Sequence, residues 1–264
     1  MWFSWRDKKS IALVESDDGI HWGQPQICLK NKFPFSWESS VNRPIVIKKP
    51  DGYHMWYTGQ SRAFFFKPAQ SFIGYAVSPD GENWRRVSSD PVLKPDQEWE
   101  KVAVMCPDVI WDEKVGIYKM WYSGGNQGEP DAIGYAESAD GQKWVKRPNP
   151  VFAPSRVPAW DSEKVTACQV LKQGSGYWMF YIGFSGFRNA QIGLARSPDG
   201  ISRWQRYPGN PILSPTPGQW DGDAVYKPFA LLDGSRWMLW YNGRRSPLEQ
   251  IGLAFHPKRI PGWN

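Results

Sequence analysis

The 264-residue chain is poor in the residues that build metal and disulfide frameworks. It has three cysteines, Cys28, Cys106 and Cys168, and three histidines, His21, His54 and His256. These are too few and too scattered for a disulfide scaffold or a zinc site, so no metal or cofactor is expected. Acids are also short, 26 against 32 Lys and Arg, leaving a net charge of +6. The bases are dispersed, without the dense runs of a nucleic-acid-binding arm, so nucleic acid is excluded as a partner. No apolar run outlasts a strand, which excludes a membrane-spanning helix. Residues 1–6 (MWFSWR) lack the order of a secretory signal, and the chain as it stands reads as cytoplasmic. With 41% hydrophobic residues the chain can bury a core. The sequence leaves the oligomeric state open.

Aromatics and turn formers are abundant instead: 17 Trp, 13 Phe and 11 Tyr beside 25 Gly and 23 Pro, a mix suited to short strands and tight turns. They fall into a repeat. The block Ile73 to Trp84 (IGYAVSPDGENW) returns as Ile133 to Trp144 and Ile192 to Trp204, with weaker copies from Ile11 and Ile251. A second block, Met55-Trp56-Tyr57-Thr58-Gly59, recurs from Met120, Met179 and Leu239, and Met1-Trp2-Phe3-Ser4 is its fifth copy. A third ends in Asp90-Pro91-Val92-Leu93, Asn149-Pro150-Val151-Phe152 and Asn210-Pro211-Ile212-Leu213. A fourth runs from a Trp-acid pair (Trp37-Glu38, Trp99-Glu100, Trp160-Asp161, Trp220-Asp221) into a strand. Four strands per repeat predict blades, since one small sheet cannot bury both faces alone. The expected fold is all-β, a single five-bladed β-propeller domain over 1–264 with blades at about 1–36, 37–98, 99–159, 160–219 and 220–264. The fourth block supplies inner strand A, and the second, first and third supply B, C and D. The first blade is incomplete: B, C and D are expected at 1–6, 11–16 and 22–29, with no strand A, a gap the tail Pro257 to Asn264 could fill.

Antiparallel connection puts the D-to-A and B-to-C loops on one face and the A-to-B and C-to-D turns on the other. The second face takes the Ser-x-Asp-Gly turns, whose acids read as structural. The first face collects the variable loops, where function resides. Its candidate catalytic carboxylates are Glu38, Asp108, Glu163 and Asp223, and its candidate ligand-binding residues are Arg43, Arg62, Gln169, Arg188, Lys227, Arg244, Trp37, Trp160 and Trp220. Phe64-Phe65-Phe66 would cap a pocket or clamp its own blade. By the strand period of two, Arg43, Asp108, Gln169 and Lys227 share one side of the inner strands. Burying them requires a wet polar site, or an ion pair of Asp108 with Arg43 or Lys227.

The IGYAxSxDGxxW blocks, the Met-Trp-Tyr-x-Gly strands and the Asn-Pro-Val-Leu ends resemble the five-bladed propeller glycoside hydrolases: arabinanases and xylosidases of family 43, the invertase-like family 32 and the mannoside phosphorylases of family 130. The resemblance covers almost the whole chain. It implies inner-strand carboxylates: a base or nucleophile on the first blade, a supporting Asp and an acid Glu. Met105-Cys106-Pro107-Asp108 resembles the Glu-Cys-Pro-Asp motif, with Met105 at the acid's position, and Asn42-Arg43-Pro44 resembles Arg-Asp-Pro without its Asp. The function expected is a carbohydrate-active enzyme on a glycoside bearing an anionic group, since Arg and Lys gather on the loop-rich face. The alternatives are a non-catalytic sugar-binding propeller and a glycoside phosphorylase. A carbohydrate ligand is the only partner expected.

Overall fold

Residues that alternate aromatic, β-branched and small side chains between Asp-Gly and Pro turns form short antiparallel strands, in the order the repeat predicts. A computed structural model describes residues 1–32, 35–63, 68–128, 130–186 and 189–260. Among these there is no α-helix, only the 3-10 turns Arg6–Lys8 and Glu98–Glu100.

The chain divides into two compact units, Met1–Phe152 and Ala153–Asn264. The first holds β1 (Trp2–Trp5), β2 (Ser10–Leu13) and β3 (Gln26–Leu29), then β4 (Ser40–Lys49), β5 (Gly52–Gln60), β6 (Ser71–Ser78) and β7 (Arg85–Arg86), then β8 (Ala103–Asp112), β9 (Ile117–Gly125), β10 (Pro130–Ser138) and β11 (Val145–Lys146). The second unit holds β12 (Lys164–Gln173), β13 (Gly176–Phe184), β14 (Ala190–Ser197) and β15 (Gln205–Arg206), then β16 (Ala224–Asp233), β17 (Arg236–Arg245) and β18 (Leu248–Pro257). Each run is an antiparallel meander, and one parallel residue pair, Ser71↔Ala103, joins the second and third sheets. The core lies between successive sheets. Ile11, Val41, Met55 and Tyr57 are buried between the first and second, and Trp56, Ile73, Val104 and Met120 between the second and third. Phe180, Leu194, Ala230 and Leu239 are buried between the two sheets of the second unit.

The outer strand differs from expectation. It is split into the two-residue β7, β11 and β15 and, after a turn, single bridges Ile73↔Leu93, Ile133↔Phe152 and Ile192↔Leu213, because the prolines beside Leu93, Phe152 and Leu213 cannot donate to a ladder. The first sheet lacks an inner strand among the described residues, as expected, and β1 pairs with β2 alone. The described part of the tail packs on its own sheet: the Lys258 N–H donates to the Ser235 carbonyl and Ile260 joins the core.

Each complete sheet is fastened by the Trp-acid pair. The tryptophan stacks on the B-strand tyrosine, with ring centroids 6.3 Å apart for Trp37 and Tyr57, 5.9 Å for Trp99 and Tyr122, 5.5 Å for Trp160 and Tyr181, and 5.7 Å for Trp220 and Tyr241. A Cβ on Gly59, Gly124, Gly183 or Gly243 would overlap that tryptophan, so the glycine that closes the Met-Trp-Tyr-x-Gly block is required by close approach. The acid turns inward. Glu38, Glu100, Asp161 and Asp221 accept from the hydroxyls of Tyr57, Tyr122, Tyr181 and Tyr241, at 2.5, 2.7, 2.8 and 3.1 Å. Three of them also bind the base of the short fourth strand: Arg86 at 2.7 Å, Lys146 at 2.8 Å and Arg206 at 2.6 Å. Burial, then the bond to Asp221, pushes the Tyr241 hydroxyl up to about 12, so it stays a donor at neutral pH. Asp221 has no fourth-strand base among the described residues, and its Oδ1 is buried without a hydrogen-bond partner.

The Asp-Gly turns are structural. The Gly81 N–H donates to Ser78 Oγ at 2.8 Å, and Asp80 Oδ1 accepts from the Glu82 and Asn83 N–H groups at 2.9 and 2.8 Å. Gly81 has φ of +84°, which glycine adopts without strain. The turns at Asp18, Asp140 and Asp199 repeat the pattern.

Two outcomes follow from these ties. Lys146→Met leaves the fully buried Glu100 charge uncompensated and lowers stability by about 3–5 kcal/mol in urea denaturation, and adding Glu100→Gln recovers part of the loss. Asp80 is held below the usual carboxylate range by the Asn83 side-chain amide, then by the Asn83 and Glu82 N–H groups. A depressed folded pKa stabilises above the unfolded value of about 3.9 and ceases to do so as pH falls through the folded value. The gap in Tm between the native protein and Asp80→Asn is therefore constant near neutrality and closes below about pH 4.

Candidate functional site

The inner strands share a local fault that decides what they present. In β4, β8, β12 and β16 the register against the next strand shifts between Asn42 and Ile45, Met105 and Asp108, Thr166 and Gln169, and Tyr226 and Phe229. Each shift is a β-bulge, and one bulge residue per strand sits in the left-handed region: Arg43 at φ +53°, Cys106 at +53°, Ala167 at +36° and Lys227 at +54°. A non-glycine residue there costs of order 1–3 kcal/mol and persists only where its surroundings hold it. In the first unit the holder is a hydroxyl on the preceding sheet. The Arg43 N–H donates to Ser4 Oγ at 2.7 Å, and the Cys106 N–H to Thr58 Oγ1 at 2.9 Å.

The bulge corrects the period-two expectation, because alternation does not run through it. Arg43 and Lys227 occupy the position of Cys106 and Ala167, whereas Asp108 and Gln169 occupy that of Ile45 and Phe229.

In the first unit, Arg43 Nη1 lies 3.4 Å from both Met105 Sδ and Asn42 Oδ1, and its Nε is buried without a hydrogen-bond partner. Asn42 donates to Gln60 Oε1 at 2.8 Å, and Gln60 in turn to Ser71 Oγ at 3.3 Å. Met105 is fully buried, and Asp108, just past the bulge, is 4% exposed. Arg62 stands exposed on the loop after β5, whose neck is closed by the Gln127 amide donating to the carbonyls of Ser61 and Gln70 at 3.2 and 2.9 Å.

In the second unit, Lys227 Nζ and Arg244 Cζ lie 5.6 and 5.8 Å from the centre of the buried Tyr226 ring, within cation–π range of it. Thr166, just before its bulge, buries a hydroxyl that has no hydrogen-bond partner. Glu163 is exposed where β12 begins. Asp223 is exposed too, and its Oδ2 accepts from the Ser246 N–H at 2.7 Å.

Several sequence candidates lie elsewhere than expected. Gln169 is spent on structure, its amide donating to the Ala230 carbonyl at 3.1 Å and accepting from the Ala230 N–H at 2.5 Å. Glu38 is fully buried in its tie, and Trp37, Trp160 and Trp220 pack on the tyrosines and glycines of their own sheets, which commits their rings to blade packing instead of a ligand. Arg188 and Phe64-Phe65-Phe66 lie outside the described residues. Conversely, Ser4, Thr58, Thr166 and Tyr226 were not singled out from the sequence. Pro44, Pro107 and Pro228, prolines inside inner strands, were the available signal of a bulge.

Among the described residues no group of three or more His, Cys, Asp or Glu could hold a metal ion. Nor, among the described residues, is any helix long and apolar enough to cross a membrane.

In sequence, no protein of curated function matches. In structure, the chain is similar to a complex of BT0996 with RGII, at TM-score 0.76 and 20% identity over 96% of this chain and 79% of that one. It is similar to a thermostable family-43 glycoside hydrolase, at TM-score 0.73 and 16% identity over 95% and 86%. A structure of the GH130 family, described as mannoside phosphorylases that contain glycoside hydrolases targeting beta-1,2 mannosidic linkages in Candida mannan, aligns at TM-score 0.64 and 18% identity over 94% and 71%. The fold is thus the β-propeller of glycoside hydrolases. The family model of the glycosyl hydrolases family 32 N-terminal domain matches residues 4–162, more than half of the sequence, and the chain belongs to that family.

Proposed function

We propose that the chain is a glycoside hydrolase-type enzyme, a single five-bladed propeller domain, whose substrate carries an anionic substituent and whose catalytic carboxylate is Asp108. The observation that carries the reading is the inner strand β8, where a bulge held by Thr58 is followed at once by the buried Asp108. Glycoside cleavage needs a carboxylate to attack or to activate water, and a second group to protonate the leaving oxygen. Asp108 takes the first role, activating a water for attack at the anomeric carbon, and with an aryl glycoside the phenolate leaves without a proton, so the second group is not required. Arg43, with its buried and unbonded Nε, is suited to a carboxylate, sulfate or phosphate on the sugar, as are Lys227 and Arg244 in the second unit. Similarity to a complex with RGII supports a carbohydrate as the ligand.

One observation favours a second reading, a sugar-binding propeller without turnover. Met105, where the family resemblance implies the acid, is fully buried and touched by Arg43.

A panel of aryl glycosides and uronate-bearing oligosaccharides, assayed with and without inorganic phosphate, separates the readings. Turnover is expected, with kcat reduced about 10²–10⁴-fold in Asp108→Asn at unchanged Tm. Equal rates in that variant would remove Asp108 from the chemistry. Strict dependence on phosphate would make the enzyme a phosphorylase, and calorimetric binding without turnover would establish the second reading. Arg43→Gln is expected to raise KM for acidic substrates and to leave neutral ones unaffected.

A further inference from the structure

The first two sheets border a half-open cavity of about 270 Å3 at the strand ends opposite Arg43, beside the turns that carry Asp18 and Asp80. It is lined by Trp2, Leu13, Trp22, Tyr53, Glu15 and Glu82, and by Met1, whose ammonium donates to the Val14 carbonyl at 2.6 Å, so that the acids of the lining outnumber its one cation. The cavity has a sequence cause. The cross-strand partner of Trp56 is Tyr75, and that of Trp121 is Tyr135. Tyr75 stacks on Trp56 at 4.9 Å and fills the space beside it. The cross-strand partner of Trp2 is Leu13, a side chain without a ring, which leaves more room beside the indole than Tyr75 leaves beside Trp56.

The aromatic walls are fixed. Trp2 Nε1 donates to the Gly81 carbonyl at 2.8 Å, and its ring meets Tyr53 at 5.8 Å and the edge of Trp84 at 6.3 Å. Trp22 is 37% exposed, the most open of these rings. Asp80 and Ser16, also at the cavity, are saturated by their own turns. The side chains of Glu15 and Glu82 are exposed and make no hydrogen bond among the described residues, and the Tyr53 hydroxyl makes none either.

An exposed indole, that of Trp22, together with two acceptor carboxylates and one donor hydroxyl meets the requirements of a pyranose. Its apolar C–H face packs on an indole, its hydroxyls donate to carboxylates, and a phenol can donate to an acetal oxygen. We propose that this cavity binds a neutral sugar residue as a non-catalytic site, at the opposite strand ends from Arg43. Its two carboxylates repel uronates and sulfated sugars, so its charge preference is the reverse of that of the Arg43 end. The site stands on its own residues and does not require turnover at Asp108.

The test is a titration of the intrinsic tryptophan fluorescence of the whole chain with methyl pyranosides of glucose, galactose, mannose and xylose. Methyl glucuronide and tetramethylammonium serve as comparison ligands. The expected result is a saturable change with at least one neutral glycoside, at millimolar affinity, and none with the glucuronide. It should weaken at least about tenfold in Trp22→Ala and in Glu82→Gln, and persist in Asp108→Asn. Leu13→Tyr, which fills the room beside Trp2 with a ring, should abolish it at unchanged Tm. A lack of response to every neutral glycoside, or a response retained in Leu13→Tyr, would overturn the proposal. So would a response to tetramethylammonium alone, which would make the cavity a site for organic cations. Loss of turnover in Asp108→Asn reads out the reaction separately, so failure of one leaves the other standing.

Discussion

Everything that positions the inner strands depends on one contact, the tryptophan before strand A laid against a glycine of strand B. The contact does two jobs at once. It stacks the tryptophan on a tyrosine two residues earlier in the same strand, and it turns the following acid inward to meet that tyrosine's hydroxyl. The acid then reaches the base on the outermost strand, so the approach to A, the middle strand and the outer strand are joined through a single buried carboxylate. Buried charges of this kind add little net stability over an apolar core, but they tolerate no missing partner. Their use in three successive sheets fixes strand register, which apolar packing alone leaves free to slip.

With the frame fixed in that way, the bulge in each inner strand becomes a constant backbone with a variable side chain. Arg43, Cys106, Ala167 and Lys227 share left-handed geometry while differing in charge and size. Strain is tolerated at all four positions, and in the first unit a hydroxyl from the preceding sheet accepts the awkward N–H. Chemistry can therefore change from sheet to sheet without altering the path of the chain. The first unit places a guanidinium and a thiol at this position, the second a methyl and an ammonium.

The repeat, the strand order and the incomplete first sheet were legible in the sequence because each rests on local signals: alternation, Asp-Gly turns and recurrent blocks. The roles of Trp37 and Gln169 were not. Trp37 looks like a ligand platform until Gly59 is seen to be vacant for its ring, a pairing made across 22 residues of chain by the fold itself. Gln169 looks like a polar residue aimed at a site until β16 brings the Ala230 backbone against it. Arg43 and Asp108 were placed on one side by counting twos, and one extra residue in the strand undoes that count. Long-range partners are set by tertiary packing, which composition and spacing do not encode, and the one local sign of the bulges is the proline inside β4, β8 and β16.

The bulge also explains why Met105 and Arg43 belong together. The guanidinium lies 3.4 Å from the Met105 sulfur. A carboxylic acid at position 105 would sit against that cation, which favours the ionised form and depresses its pKa. An acid held ionised at neutral pH cannot protonate a leaving oxygen, so Arg43 would silence the very group that the Glu-Cys-Pro-Asp resemblance implies. A thioether, by contrast, fills the space and makes no claim on the charge. Among the described residues the guanidinium has no carboxylate partner, and the Asn42 carbonyl lies 3.4 Å from it. The two differences from the Glu-Cys-Pro-Asp and Arg-Asp-Pro patterns thus form one change of chemistry: this end of the first unit lacks a proton donor at position 105 and presents a cation at position 43, the group on which the proposal of an anionic substrate rests.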